Sequence, residues 1–245
     1  MAKFAVIIPA AGAGERFGGK VKKPFATLNE RPVFIRSLEL FINRDDVCQT
    51  ILAVAPDDYD VVREKFAANI MVMGFEVAKG GAERFLSVRA ALERVSDEAT
   101  HVAIHDAVRP CVTTGWIDAV FAQAAKSGAA ILGCPLTGSI KRVGDGHITE
   151  SVERRGLYEA QTPQVFEKSL LKTAYAALRE TDAPTDDAEV VARAGATISI
   201  VETDRRNLKI TVGSDLALAG TILKDLERQA RPSGGPRNPF EEAQW

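Results

Sequence analysis

Cysteine is scarce in this chain: Cys48, Cys111 and Cys134 stand far apart, and no two form a CxxC pair. An odd, scattered set gives neither a disulfide framework nor a zinc-binding spacing. The thiols therefore read as reduced, in a reducing compartment. Net charge is also small, formally −2. That removes any general attraction to nucleic acid or to an anionic membrane, leaving only local basic patches to consider. Long hydrophobic runs are missing too. The apolar stretch Phe4–Ala11 is too short to cross a bilayer and lacks the layout of a signal peptide. These absences predict a cytoplasmic protein with neither nucleic acid nor membrane as partner.

What remains is ordinary globular composition, 46% hydrophobic and 26% charged over 245 residues. That length suits a single domain, expected over residues 1–230. Short continuous apolar runs at 4–10, 50–56, 101–107 and 129–135 read as buried strands. Between them, 32–41, 82–95 and 116–128 carry apolar residues at helical spacing, and Gly128 offers a stop for the last. This alternation predicts an α/β fold with a doubly wound, mostly parallel, Rossmann-like sheet. Ligands of such sheets bind beyond the carboxyl ends of the strands.

The alternation breaks after Pro135. Two β-capable stretches flank Gly144-Asp145-Gly146, a hairpin signal, so a projecting arm is expected over about 136–158. Helices are expected near 167–179, 186–194 and 214–229, with short strands at 197–201 and 207–211. The Pro/Gly-rich tail, 231–245, has the composition of a disordered segment.

One segment invites a phosphate: Pro9 to Pro24, with four glycines, Arg16 and three lysines. It misses both common phosphate-binding patterns. Gly14 to Lys20 has the Walker spacing, but Val21 stands where a magnesium-binding hydroxyl is needed. Gly12 and Gly14 begin a dinucleotide fingerprint, but Phe17 holds the third glycine's place. Small residues from Ala10 to Gly14 still let the backbone approach an anion, and Arg16 and Lys23 add positive charge. The blander reading is a tight strand-to-helix turn with solvated lysines. Asp106 of "HDAVRP" falls just past a strand's carboxyl end, where one carboxylate and phosphate oxygens suit magnesium. A turn or helix-capping aspartate beside Pro110 is the plainer alternative.

The loop "IPAAGAGERFGGKVKKPF" resembles the signature of the 2-C-methyl-D-erythritol 4-phosphate cytidylyltransferase family, roughly PAAGxGxRMG…PKQ(Y/F)LxL. The resemblance continues through "PVFIRSLELF", "GGAERFLSV", "HDAVRP", "SIKRV", "SVERRGLYEAQTPQVF", "TDDAEVV" and "NLKIT…SDLALA", covering nearly all of residues 4–220. It implies transfer of CMP from CTP to a polyol phosphate with release of pyrophosphate, in isoprenoid precursor synthesis. Such a reaction needs positioning and cations more than covalent chemistry.

By this resemblance Arg16 and Lys23 are catalytic, stabilising charge on the triphosphate. Pro9, Ala10, Ala11, Gly12 and Gly14 would bind the nucleotide, with Gly80, Gly81 and Ser87 near its base and ribose. Asp106 would stand at a magnesium ion or another divalent cation. Arg109, Ser139, Arg154, Thr162 and Lys209 would position the polyol phosphate. The resemblance also implies a homodimer in which the arm completes the neighbour's site. Some members are fused to a later pathway enzyme, for which this chain is too short.

Five departures stand out: Phe17 replaces the usual Met, Pro24 the usual Gln after the lysine, Ser139 a usual Thr, and Phe85 and Leu86 commoner polar residues. Pro24 favours extended backbone at Lys23, and Lys20 and Lys22 are the alternative cations. The rival readings are a ribitol 5-phosphate cytidylyltransferase, a sugar-1-phosphate nucleotidylyltransferase, and a non-catalytic nucleotide-binding protein. Ala10-Ala11-Gly12 and Val152-Glu153-Arg154 speak against the first, "SIKRV" and "TPQVF" against the second. The joint presence of Arg16, Asp106, Arg154 and Lys209 speaks against the third.

Overall fold

A computed structural model describes residues 2–12, 22–179 and 181–230. Arg16 and Gly14, and the tail 231–245, lie outside the described residues. Strand β1 (Phe4–Pro9) is central, because its alternate side chains face two different cores. Phe4, Val6 and Ile8 pack with α1 (Val33–Glu39), α2 (Tyr59–Lys65) and α5 (Thr114–Ser127). Ala5 and Ile7 pack with α4 (Arg84–Leu92), α6 (Lys168–Ala176) and α7 (Asp187–Arg193). Two covered faces explain why β1 reads as an uninterrupted apolar run.

The remaining strands of the main sheet are β4 (Val47–Val54), β5 (Glu76–Lys79), β6 (His101–Ile104), β7 (Ala129–Pro135), β10 (Tyr158–Glu167) and β11 (Ser199–Glu202). Their order is β11-β7-β10-β6-β1-β4-β5. The β1–β4, β1–β6, β4–β5 and β7–β11 pairs are parallel. Only β10 runs against its neighbours, β6 and β7. The mostly parallel, doubly wound expectation holds. The chain leaves β1 towards β4 and returns on its other side as β6, so a topological switch point lies at their carboxyl ends.

The helix boundaries follow local chemistry. Thr113 caps α5 by accepting the Trp116 amide at 3.3 Å, and Gly128, at φ +79°, ends it. The expected hairpin forms as β8 (Ile140–Gly144) and β9 (His147–Val152), a two-stranded sheet of its own. Asp145 and Gly146 turn it with φ of +49° and +79°, the pair of positive values that a tight two-residue hairpin needs. Its apolar side chains Val143 and Ile148 are exposed.

One expectation is corrected, and two stretches hold elements that the sequence did not announce. Residues 207–211 form no strand. The Asn207 carbonyl pairs with the Arg109 side chain and the Thr211 amide with Asp215, and a backbone bond, from the Ile210 amide to the Val108 carbonyl at 2.9 Å, ties the segment to the loop after β6. Strand β10 is a central strand that the sequence hid, because Pro163 interrupts it and the register with β7 shifts between Gln161 and Gln164. Residues 56–79, left unassigned, hold α2, α3 (Ala67–Met73) and β5. Two short strands, β2 (Thr27–Leu28) and β3 (Arg31–Pro32), form a small ribbon beside α1. The final helix α8 (Ser214–Ala230) lays Leu216, Ala219, Ile222 and Leu223 against Leu28, Val33, Val108 and Ile210.

Candidate active site

A cavity opens at the carboxyl ends of β1 and β6. It is lined by Pro9, Ala10, Ala11 and Gly12 on one side, Lys23 and Pro24 on another, and Arg84, Asp106, Val108 and Lys209 beyond. Ala10 stays tied to the sheet, its amide donating to the Ala53 carbonyl at 2.7 Å. A Cβ placed on Gly12 would meet nothing within 4 Å. Packing therefore does not demand glycine there; close approach of a ligand to the backbone would. The extended backbone expected at Lys23 falls one residue earlier, at Lys22, and Lys23 with Pro24 instead opens a short 3-10 turn, Lys23–Phe25. Lys22 itself is held by Asp58, its Nζ 2.6 and 2.8 Å from the two carboxylate oxygens. Of the alternative cations, Lys22 is thus engaged away from the cavity, and Lys20 lies outside the described residues.

Asp106 is the hub. Arg84 Nε lies 3.1 Å from its Oδ1, while Lys209 Nζ and Arg109 Nε lie 2.8 and 3.5 Å from its Oδ2. Burial alone would raise this carboxyl's pKa, but the three cations outweigh it and hold it well below the usual range. Asp106 is therefore ionised at neutral pH. Arg84 is itself shared: its Nη2 lies 2.8 Å from Asp187 Oδ2. Burial works against the charge on Arg84, yet Asp187 and Asp106 raise its pKa on balance. The Tyr175 hydroxyl donates to Asp187 at 2.5 Å, completing a buried chain from α6 through α7 to α4.

Arg109 is almost fully buried and donates through Nη1 to the Asn207 carbonyl at 2.6 Å. A second cavity continues from the first past Arg84, Asp106, Arg109 and Lys209 to Thr162, Gln164, Thr185 and Asp186. Next to Asp106, His105 is fully buried, and that burial pushes its pKa down to about 4. Its ring is neutral at ordinary pH.

The structure thus brings together Pro9, Ala10, Ala11, Gly12, Lys23, Asp106, Arg109, Thr162 and Lys209 around two joined cavities. Gly80, Gly81 and Ser87 do not line them. They interlock as the turn that opens α4. Cβ atoms on Gly80 and Gly81 would come within 2.6 Å of Ser87 Oγ and 2.4 Å of Leu86 Cβ. The Ser87 hydroxyl accepts the Gly81 amide at 3.1 Å and is buried. Ser139 and Arg154 lie apart, together in a groove at the base of the arm, where Arg154 donates to the Thr137 carbonyl. Sequence reasoning missed Arg84 and Asp187. Both stood inside quoted motifs, "GGAERFLSV" and "TDDAEVV", yet only their spatial convergence on Asp106 marks them.

The donor set suits a metal ion only in part. Among the described residues, no group of three or more His, Cys, Asp or Glu side chains could enclose one. Asp106 offers one carboxylate, and its oxygens already face cations. Magnesium commonly takes a single carboxylate when phosphate oxygens complete its shell. Asp106 would be the one protein carboxylate in such an arrangement.

A profile of the family described as 2-C-methyl-D-erythritol 4-phosphate cytidylyltransferase matches residues 4–225. This chain belongs to that family. The cytidylyltransferase of that name from Rhodopirellula baltica is 43% identical to it over 236 residues, spanning 91% of this chain and 96% of the other. The one from Endomicrobium trichonymphae is 39% identical, spanning 91% and 99%. A crystal structure of the Thermus thermophilus cytidylyltransferase superposes with a TM-score of 0.75 at 28% identity, covering 91% of this chain and all of that one. The family is one of nucleotidyltransferases. Among the described residues, no helix is long and apolar enough to cross a membrane.

Proposed function

We propose that the protein transfers the cytidylyl group of CTP to the phosphate of 2-C-methyl-D-erythritol 4-phosphate, giving 4-diphosphocytidyl-2-C-methyl-D-erythritol and pyrophosphate. The observation that carries this reading is the convergence of Arg84, Arg109 and Lys209 on a single carboxylate, Asp106, at the end of β6. Arg84 is also paired with Asp187 and Arg109 with Glu159, so the cluster is close to neutral, and Lys209, the most exposed of the three cations, is the one a substrate phosphate can engage. A substrate phosphate oxygen attacks the α-phosphorus of CTP in line, the bond to the β-phosphate bridging oxygen breaks, and pyrophosphate leaves. The attacking phosphate is already ionised, so no general base is required.

In this reading the triphosphate lies over Pro9 to Gly12, with Arg16 and Lys23 on its charge. The second substrate occupies the cavity between Arg109, Thr162 and Lys209. Asp106 would hold a divalent cation, which when bound neutralises charge on the phosphates. Arg84 and Lys209 keep Asp106 ionised and aimed. Gly80, Gly81 and Ser87 shape the turn that presents Arg84. Arg154 and Ser139 line a groove separate from these cavities, so in this reading the arm of a second copy supplies them in a homodimer. A cytoplasmic location fits the free thiols and the soluble substrates.

The test is pyrophosphate release from CTP with magnesium, offering methylerythritol phosphate and ribitol 5-phosphate in parallel. Release with the first alone is expected. Release with ribitol 5-phosphate alone would keep the fold and the chemistry but replace the acceptor. A folded protein that binds CTP and is silent with both would point to a non-catalytic nucleotide binder.

A further inference from the structure

His105 is shut away from solvent, while Thr162 lines the second cavity, and both sit against Asp106. The His105 ring is fully buried, with Phe41 packed at 5.2 Å between ring centroids. Its Nε2 lies 3.0 Å from the Arg109 carbonyl oxygen. A carbonyl only accepts, so Nε2 carries the hydrogen. In an uncharged ring Nδ1 is then an acceptor, and the Thr162 hydroxyl 3.2 Å away must donate to it. The Asp106 amide in turn donates to Thr162 Oγ1 at 3.1 Å. The Arg109 amide donates to the Asp106 carbonyl at 3.1 Å. These four bonds close a ring: Asp106 amide to Thr162, Thr162 to His105, His105 to Arg109, and Arg109 back to Asp106.

We infer that His105 and Thr162 are positioning residues that clamp the Asp106–Arg109 turn to β10, and that the Thr162 hydroxyl does not hold the substrate phosphate. A hydroxyl has one hydrogen. Here it points to His105 Nδ1, and a phosphate oxygen, itself an acceptor, finds none to take. The resemblance gives Thr162 a substrate contact. The geometry gives it the task of fixing where the Asp106 carboxylate and Arg109 guanidinium stand. The neighbouring Asn207 amide supports the same turn of β10, donating to the Thr162 carbonyl at 3.0 Å. The kinetic consequence rests on the cytidylyltransferase reading; the direction of the hydrogen bonds does not.

Two measurements test it. Nitrogen-15 NMR of the uniformly labelled protein at neutral pH, with the His105 signals assigned by their loss in His105→Gln, reads the tautomer directly. We expect a protonated Nε2 and an unprotonated Nδ1; a protonated Nδ1 overturns the inference whatever the protein catalyses. In the CTP assay, Thr162→Val and His105→Gln should each lower kcat about tenfold with the polyol phosphate KM held within about twofold. The double variant should be no worse than the poorer single one, because both break one network. Thr162→Ser, which keeps the hydroxyl, should restore wild-type turnover. A Thr162→Val enzyme that keeps kcat but raises that KM about tenfold would make Thr162 a substrate-binding residue and overturn the assignment. If wild-type enzyme turns over neither polyol phosphate, the proposed function fails, and the tautomer still decides the clamp.

Discussion

Lys209 Nζ stands 2.8 Å from Asp106 Oδ2, and the segment that carries the lysine has no strand to hold it. Instead, Asn207 and Thr211 on either side are fastened by Arg109 and Asp215. Lys209 therefore reaches Asp106 through a segment pinned by side chains, with its own side chain partly exposed. Lys209→Met should lower kcat/KM roughly a hundredfold, the scale of losing one charge-stabilising donor. Stability should fall by only about 1 kcal/mol, since the lysine is partly solvated and two arginines remain on the carboxylate. Steady-state kinetics beside urea unfolding checks both. A loss of stability without loss of activity would remove Lys209 from the site.

His105 makes a separate prediction about pH. Its folded pKa is lowered by burial to about 4, whereas an unfolded imidazole titrates near 6.5. The unfolded chain thus binds the extra proton first as pH falls. The stabilising contribution is complete above about pH 6.5 and is lost progressively towards pH 4, by roughly 3 kcal/mol in all. Carboxylates titrate in part of the same window, so the difference between wild type and His105→Gln isolates the histidine. Denaturant unfolding at pH 7, 6 and 5 should show the gap between the two proteins narrowing as pH falls. A constant gap would mean that His105 is not held neutral.

The two adjacent lysines of the Gly-rich segment should separate cleanly. Lys22 is bound to Asp58 in a partly exposed ion pair at 2.6 Å. Lys22→Ala should cost under about 1 kcal/mol and change turnover by less than about threefold. Lys23→Ala, altering a residue that lines the cavity, should lower turnover by about a hundredfold. Wild-type turnover in Lys23→Ala would end its assignment as a catalytic cation. It would also show that Pro24 after the lysine marks a real change of site.

How much of this was legible follows a physical pattern. Buried parallel strands announce themselves as apolar runs, so β1 and β7 fell where the sequence placed them. The arm announced itself through Asp145-Gly146, because few residue pairs accept two positive φ values. Asp106 was legible as the residue after a strand end at a switch point. Strand β10 was not, since Pro163 contradicts a central strand by every local rule, and only its two neighbours make it one. Arg84 and Asp187 were missed for another reason. A helical arginine paired with a distant aspartate looks in sequence like any solvated charge, and its meaning lies wholly in three-dimensional convergence. Conversely, Gly80, Gly81 and Ser87 read as ligand contacts, while their geometry explains them first as a close-packed turn.

The arm yields the last prediction. Arg154 and Ser139 share a groove distinct from the cavities around Asp106. If they act on substrate, they act on another copy's site. A two-fold dimer with reciprocal arms would then place one body and the opposite arm in each site. Arg154→Ala should raise the polyol phosphate KM and spare that of CTP, and Lys209→Met should cripple turnover. Each body-plus-arm combination can be made separately in mixed dimers. A dimer of one Arg154→Ala chain and one Lys209→Met chain has one site with both residues intact and one with neither. Assayed at polyol phosphate well below the KM of Arg154→Ala, where both parents are nearly silent, the two proteins refolded together at equal amounts should therefore recover about a quarter of wild-type activity, half the dimers being mixed with one good site each. If each arm serves its own chain, or the chain works alone, mixing should recover nothing above the two parents. Sedimentation of the same samples separates those outcomes. A dimer without complementation places Arg154 in its own subunit's site, and a monomer with full wild-type activity removes the arm of a second copy from catalysis.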